Sequence, residues 1–332
     1  MTHSIIPLFI PHLGCPNDCV FCNQRAIAAP QAPTARQVTQ LIRQGLNHAS
    51  RPQIAFYGGS FTAISAALQE EYLGAAFPFV QSGQCDSIRL STRPDAIDEA
   101  TLARLARYGV RTVELGAQSM DDGVLQQSRR GHTARQTVEA SRLVQQAGFE
   151  LILQVMAGLP GDSRALCLST AWRVAALRPA GVRIYPVCVI EHTPLCRMME
   201  QGTYTPLTVD QAADWCADML DVFQRQHIPV VRIGLNPTDE LSGGAVKGGA
   251  YHPAMGELVR SRLLRRQAAD RLQTAPPGAH VALTVPRGRL SILRGQKNCN
   301  TAWFAQQFPH LTITLAESPT QTEPLLLLYK DT

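Results

Sequence analysis

The feature that most constrains this chain is a strict alternation. From Ile5 to about Gly234, short runs rich in β-branched and aromatic residues take turns with stretches of helical apolar spacing. Residues 5–11, 53–57, 87–91, 111–116, 149–155 and 181–186 read as strands, with 230–233 as a seventh candidate. Helical spacing covers 34–47, 63–79, 97–108, 135–147, 165–177 and 209–226. Alternating β and α units require right-handed crossovers and a parallel sheet. Six or seven such units predict a barrel, or an incompletely closed one, rather than an open doubly wound sheet. After about residue 235 the pattern changes to a basic helix over 253–271, a Pro276-Pro277-Gly278 break, then short strands around a helix at 300–308. The expected division is a βα core over residues 1–235 and a small, basic α/β extension over 236–332, a candidate substrate-binding cap.

The longest apolar runs are far too short to span a bilayer, so no membrane partner is expected. The N-terminus lacks a basic stretch followed by a long apolar segment and a small-residue cleavage site. The expected location is therefore cytoplasmic, where nine cysteines serve as thiols, metal ligands or catalysts rather than disulfides. Three of them, in Cys15-Pro-Asn-Asp-Cys19-Val-Phe-Cys22, follow the first strand directly. Thiolates at C-x3-C-x2-C spacing within one loop can grip a single cluster or ion. Cysteine-ligated iron–sulfur clusters take four ligands, and the nearest other cysteine is Cys85, far along the chain. Three local thiolates leave one metal position open, and an open position means chemistry. The alternatives are a zinc site completed by His12, or three coincidental cysteines; zinc favours paired C-x2-C units, and the second pair is missing. Cys85, Cys167, Cys188, Cys196, Cys216 and Cys299 form no such unit and read as structural thiols.

Further motifs stand at predicted strand ends. They are Tyr57-Gly-Gly-Ser-Phe61, Leu90-Ser-Thr-Arg-Pro-Asp95, Glu114-Leu-Gly-Ala-Gln-Ser119 and Gln154-Val-Met-Ala-Gly-Leu-Pro-Gly161, with Ser128-Arg-Arg-Gly-His-Thr133 between the last two. In a βα barrel the C-terminal strand ends converge on one face, where active sites are built. Together with the cysteine loop, these segments resemble the radical SAM superfamily, and most closely its Elp3-like and oxygen-independent coproporphyrinogen oxidase-like branch. The resemblance covers roughly residues 5–235.

It implies an α/β fold, a partial (βα)6-type TIM barrel with a small C-terminal α/β extension. It also implies a [4Fe–4S] cluster on Cys15, Cys19 and Cys22 whose fourth iron is chelated by S-adenosyl-L-methionine (SAM). Tyr57, Gly58, Gly59 and Ser60 would meet the SAM amino group. Thr92 or Arg93, Gln118 and Arg130 would hold its ribose and carboxylate, and Gln154 and Met156 its adenosine. Ser60 and Gln154 stand where many relatives carry an acidic residue. Reductive cleavage of SAM would give a 5′-deoxyadenosyl radical for C–H abstraction, with a reductant such as flavodoxin or ferredoxin. Making the radical requires no protein acid or base, so no catalytic side chain is assigned.

The substrate is less legible. Net charge is only +5, yet the stretch from Glu257 to Lys297 carries nine basic residues against Glu257 and Asp270. Such an excess is either an anion site or a solvated helix face. Leu293-Arg-Gly-Gln-Lys-Asn298 is weakly similar to the helix–GxxG–helix of KH modules, with Asn298 in place of the second glycine, so a small α/β cap is the expectation. Fewer than a hundred residues follow the barrel, too few for an Elp3-type acetyltransferase domain, so full Elp3 activity is not expected. Three functions remain: a radical SAM enzyme on RNA, such as tRNA; one on a small anionic, tetrapyrrole-like metabolite; or a non-catalytic, metal-dependent RNA-binding protein.

Overall fold

The computed structural model describes residues 4–10, 19–22, 33–236 and 241–329, with the side chains of 241 and 242 excepted. Its strands are β1 (Ile5–Phe9), β2 (Gln53–Tyr57), β3 (Ser87–Thr92), β4 (Val110–Gln118), β5 (Glu150–Ala157), β6 (Gly181–Pro186), β7 (Cys188–Ile190) and β8 (Val230–Ile233). They continue with β9 (Val246–Gly249), β10 (His280–Pro286), β11 (Thr312–Ser318) and β12 (Leu326–Tyr329). Seven of them form one sheet in the order β1-β2-β3-β4-β5-β6-β8, and every neighbouring pair is parallel. The sheet curls into a half-barrel and stays open between β1 and β8.

The helices are α1 (Ala35–Leu46), α2 (Ala66–Gln81), α3 (Glu99–Arg107), α4 (Asp122–Gln127), α5 (Ala134–Gln146) and α6 (Arg164–Ala176). They are followed by α7 (Pro194–Glu200), α8 (Val209–Arg225), α9 (Met255–Leu272), α10 (Leu290–Arg294) and α11 (Cys299–Gln307). Local chemistry sets their starts. Thr34, Thr133 and Thr208 each close a capping box with a glutamine three residues on, and Ser65, Asp98, Asp121, Ser163 and Thr193 cap by side chain alone. Strands β2 to β4 are buried along nearly their whole length, as expected of a parallel sheet covered on both faces.

Beyond the barrel, β10 is central to a three-stranded sheet, parallel to β11 and antiparallel to β12. Helix α9 joins the two cores. Its first half gives Met255, Val259 and Leu263 to the barrel core, and its second half gives Leu264, Ala268 and Leu272 to a core shared with Val281, Leu283 and Phe304.

The basic stretch is not one surface. Asp210, Asp214 and Asp218 recur every fourth residue on α8, and Arg262 and Arg266 do the same on α9. Arg262 lies 2.7 Å from Asp210 and 3.4 Å from Asp214, while Arg266 lies 2.5 Å from both Asp214 and Asp218. Arg265 lies over the Trp303 ring at 4.9 Å, and Arg271 donates to the Leu325 carbonyl. Much of the positive excess thus fastens α9 in place. No described helix is long and apolar enough to cross a membrane.

Candidate active site at the barrel mouth

Cys19 and Cys22 lie just past β1, on a turn closed by the Cys22 amide donating to the Cys19 carbonyl at 3.0 Å. Cys15 lies outside the described residues. Two further backbone bonds clamp the turn. The Val20 amide donates to Ser128 at the end of α4 (3.1 Å), and the Leu195 amide at the start of α7 donates to Val20 (2.8 Å). Val20 is buried with Val124, Leu159, Val189 and Leu195, and Phe21 and Met156 pack on the same cluster. Neither short helix is evident in the sequence, yet both fix the cysteine turn.

Arg130 reaches this turn from the loop after α4. Its Nη1 donates to Cys19 Sγ at 3.5 Å, and its Nη2 donates to the Gly116 carbonyl at 2.8 Å. Arg93, almost wholly buried, holds Arg130 from behind by donating to its carbonyl at 2.9 Å while gripping Asp95 at 2.8–2.9 Å. Burial opposes ionisation of Asp95, but the hydrogen bonds and charge of Arg93 outweigh it and hold the carboxyl below its ordinary value.

Gln118 ends β4 with φ 63°, a left-handed conformation that is costly for a side-chain-bearing residue, and the β4–β5 register slips between Gly116 and Gln118. The slip aims Gln118 back over Gly116. A Cβ on Gly116 would stand 2.7 Å from Arg130 Nη2, 2.7 Å from Gln118 Nε2 and 3.7 Å from the Thr92 carbonyl. Of the sequence-predicted residues, Cys19, Thr92, Arg93, Gln118 and Arg130 therefore converge. Gly58 supports the same corner: at φ 104° its missing side chain lets the backbone approach Ile10 O, which a Cβ would meet at 2.7 Å. Gly59 follows it at the end of β2, Ser60 is buried, and the Thr92 hydroxyl pairs with Thr62 at 2.6 Å.

Tyr57 and Gln154 point elsewhere, into the barrel interior, where sequence reading missed the organising group. Glu114, with no exposed side-chain surface, lies 2.7 Å from Arg89 and 2.8 Å from Arg183. It also accepts from Tyr57 Oη at 2.9 Å and Gln154 Nε2 at 3.0 Å. Burial, reinforced by the Glu114 charge, pushes the Tyr57 phenol above its ordinary value, so it remains a donor. Tyr185 joins this layer through Arg183 at 3.5 Å. The available signal was a charged or amide residue in the middle of each of the strands β3 to β6: Arg89, Glu114, Gln154 and Arg183. His132 is buried beside the mouth, its Nε2 3.3 Å from the Ala117 carbonyl.

A family model described as the radical SAM superfamily matches residues 9–166, and one described as the radical SAM C-terminal domain matches residues 179–265. The chain belongs to the radical SAM superfamily. It is therefore an enzyme of that family, whose cofactors are a [4Fe–4S] cluster and SAM. Among curated relatives, it is 26% identical over 232 residues to a tRNA uridine(34) acetyltransferase of Dehalococcoides mccartyi, covering 58% of this chain and 50% of the relative. It is 26% identical over 255 residues to Elongator complex protein 3 of Dictyostelium discoideum, covering 63% of this chain and 45% of the relative. The chain thus spans about half the length of these relatives. In fold it is similar to the archaeal Elp3 of Methanocaldococcus infernus, with a TM-score of 0.62 at 20% identity over 80% of this chain and 63% of that one. It is also similar to the coproporphyrinogen III oxidase of Escherichia coli, with a TM-score of 0.50 at 15% identity over 81% and 75%.

Proposed function

We propose that this chain is a radical SAM enzyme acting on tRNA, with its cluster on Cys15, Cys19 and Cys22 and its SAM site over Gly116. The observation that carries the reading is the Arg130 guanidinium, bonded at once to Cys19 Sγ and to the Gly116 carbonyl beside Gln118. The donor set suits the cofactors: thiols on one clamped turn for iron, and a guanidinium and an amide converging where an amino-acid carboxylate would lie. When bound and reduced, the pair supplies a 5′-deoxyadenosyl radical that removes hydrogen from an unreactive C–H bond.

The chain's own residues position and shield. Arg130 offsets negative charge at the cysteine sulfur, Arg93 and Asp95 fix Arg130, and Gln118 turns its amide to the same spot. Thr92 and the Tyr57–Ser60 backbone border the SAM amino acid, and Met156, packed beside the cysteine turn, the adenosine. The Glu114 layer crosses the barrel interior with paired, largely buried groups. A reductant such as flavodoxin or ferredoxin delivers the electron. For the substrate, the support is similarity to relatives named as tRNA uridine(34) acetyltransferases, together with a basic extension.

Anaerobic reconstitution, followed by incubation with SAM, a low-potential reductant and bulk tRNA, tests the reading. The expected result is iron and sulfide uptake, lost when all three cysteines become alanine, and 5′-deoxyadenosine release accelerated by tRNA. Acceleration by small anionic metabolites but not by tRNA would replace the RNA substrate. Failure to take up iron would remove the cluster assignment itself.

A further inference from the structure

Once the α8–α9 ladder is set aside, four exposed cations of the basic stretch remain: Arg287, Arg289, Arg294 and Lys297. Among the described residues none of the four has an acidic partner at ion-pair distance; the nearby Glu317 carboxylate accepts instead from the Gly288 and Leu290 amides, each at 3.1 Å. Topology groups them. Strands β10 and β11 are parallel, so their connection leaves from the C-terminal end of β10, and residues 287–298 lie there before α11 runs back.

The turn between α10 and α11 is built rather than loose. Gly295, Lys297 and Asn298 all have positive φ, of 73°, 53° and 60°, and two of these three carry side chains. Such conformations cost free energy and persist only where the surroundings impose them. Here Asn300, almost fully buried, donates to Leu293 O at 3.0 Å and to Ser261 Oγ at 2.9 Å. Gly295 is packed so closely that a Cβ would stand 2.6 Å from Cys299 Sγ. The fold holds Lys297 outward at the tip of a rigid, costly turn.

Its anchor ties the turn to the barrel mouth. Ser261 and Arg260 lie in the second turn of α9, and Arg260 is close enough to Arg289 to feel its charge. The first turn of α9 packs on the C-terminal end of β8: Met255 fills the space beside Gly234, and Gly256 faces the Ile233 carbonyl. Met255 and Arg260 are five helical steps apart, about 8 Å along the axis. Arg289 and the turn that carries Arg294 and Lys297 are therefore tied to the part of α9 that begins at the C-terminal end of β8, the end of the sheet at which Gln118 closes β4. Four exposed cations spread along residues 287–297 suit a repeating phosphate better than one compact anion.

We infer that the segment from Arg287 to Lys297 is a phosphate-tracking RNA surface that delivers the substrate strand to the open β8 edge of the barrel. This rests on the tRNA reading proposed above. The test compares the reconstituted full chain with two quadruple variants of equal charge loss. One carries Arg287→Gln, Arg289→Gln, Arg294→Gln and Lys297→Gln; the control carries Arg36→Gln, Arg43→Gln, Arg107→Gln and Arg225→Gln. Affinity for bulk tRNA is measured by anisotropy across a salt series. The first variant should bind at least ~10-fold more weakly, with a log affinity against log salt slope shallower by about 3, while the control stays near wild type. Release of 5′-deoxyadenosine without RNA should be equal in all three. Equal weakening in both variants, or in neither, overturns the inference and leaves the tRNA reading intact. A wild-type chain that neither binds tRNA nor responds to it overturns both.

Discussion

The guanidinium of Arg130 donates one hydrogen bond to Cys19 Sγ and another to the Gly116 carbonyl, so a single side chain links the cysteine turn to the end of β4. A cation at a cluster sulfur favours the reduced cluster, and a cation at a carboxylate site favours its ligand. Replacement by Arg130→Gln should therefore act twice. SAM affinity should fall by about 10- to 100-fold, the range expected when a charged hydrogen bond worth about 1.5–3 kcal/mol is removed. The cluster potential should move negative while iron content is unchanged. Equilibrium binding and a redox titration on one preparation check both, and an unmoved potential would contradict the Arg130–Cys19 contact.

Gly116 offers a gentler probe. Alanine there places its Cβ 2.7 Å from the ends of Arg130 and Gln118, both side chains that can swing away. Gly116→Ala should thus cost less than about 1 kcal/mol of stability while misplacing both groups by a fraction of an ångström. Displacements of that order lower turnover by up to about 100-fold. Denaturation midpoints measured beside SAM cleavage rates separate the two effects, and full activity would show that the space over Gly116 is not used.

The interior layer predicts a stability effect. Removing the Glu114 carboxylate leaves Arg89 and Arg183 buried without their shared counter-charge. Glu114→Ala should destabilise the fold by about 3–5 kcal/mol, as broken buried ion pairs do. A urea midpoint shifted by less than the equivalent of about 1 kcal/mol would contradict this.

His132 predicts a pH dependence. Burial, assisted by the Arg130 charge, pushes its pKa down from 6.5 to about 4. Between those values the unfolded chain binds a proton that the folded chain refuses, so stability is complete above pH 6.5 and declines as pH falls toward 4. The loss attributable to this residue reaches about 3 kcal/mol. His132→Gln should flatten the pH profile in that window relative to wild type; parallel profiles would assign the acid sensitivity to other groups.

Long periodic elements were legible in the sequence to within a few residues, because six strands and six helices repeat a pattern that only a parallel sheet with crossovers satisfies. What escaped was short or distant. Helices α4 and α7 have six and seven residues, too few for helical spacing to declare itself. Both matter, since the cysteine turn is clamped by residues at the end of α4 and the start of α7. The Glu114 partners stand on β2, β3, β5 and β6, and each comes into reach only through register. Glu114 is level with Ser91, so Arg89 stands two positions before it on β3, while Gln154 and Arg183, level with each other, stand two positions beyond it on β5 and β6. The motif residues at strand ends were easier, because barrel topology alone sends them to one face. Their division into a mouth set around Gly116 and an interior set around Glu114 arises only from strand register and side-chain direction in three dimensions. The same is true of the basic stretch, where charge counting could not separate arginines paired along α8 from those exposed at the α10–α11 turn.

The most direct test of the central claim, a cluster on the Cys15–Cys22 loop with SAM held against it by Arg130 and Gln118, is the EPR spectrum of the reduced, reconstituted protein before and after adding SAM. SAM should shift the [4Fe–4S] signal in the wild type, and the shift should demand far more SAM in Arg130→Gln or Gln118→Ala while the signal itself persists. An intact cluster signal that SAM leaves unchanged in the wild type would contradict the assignment.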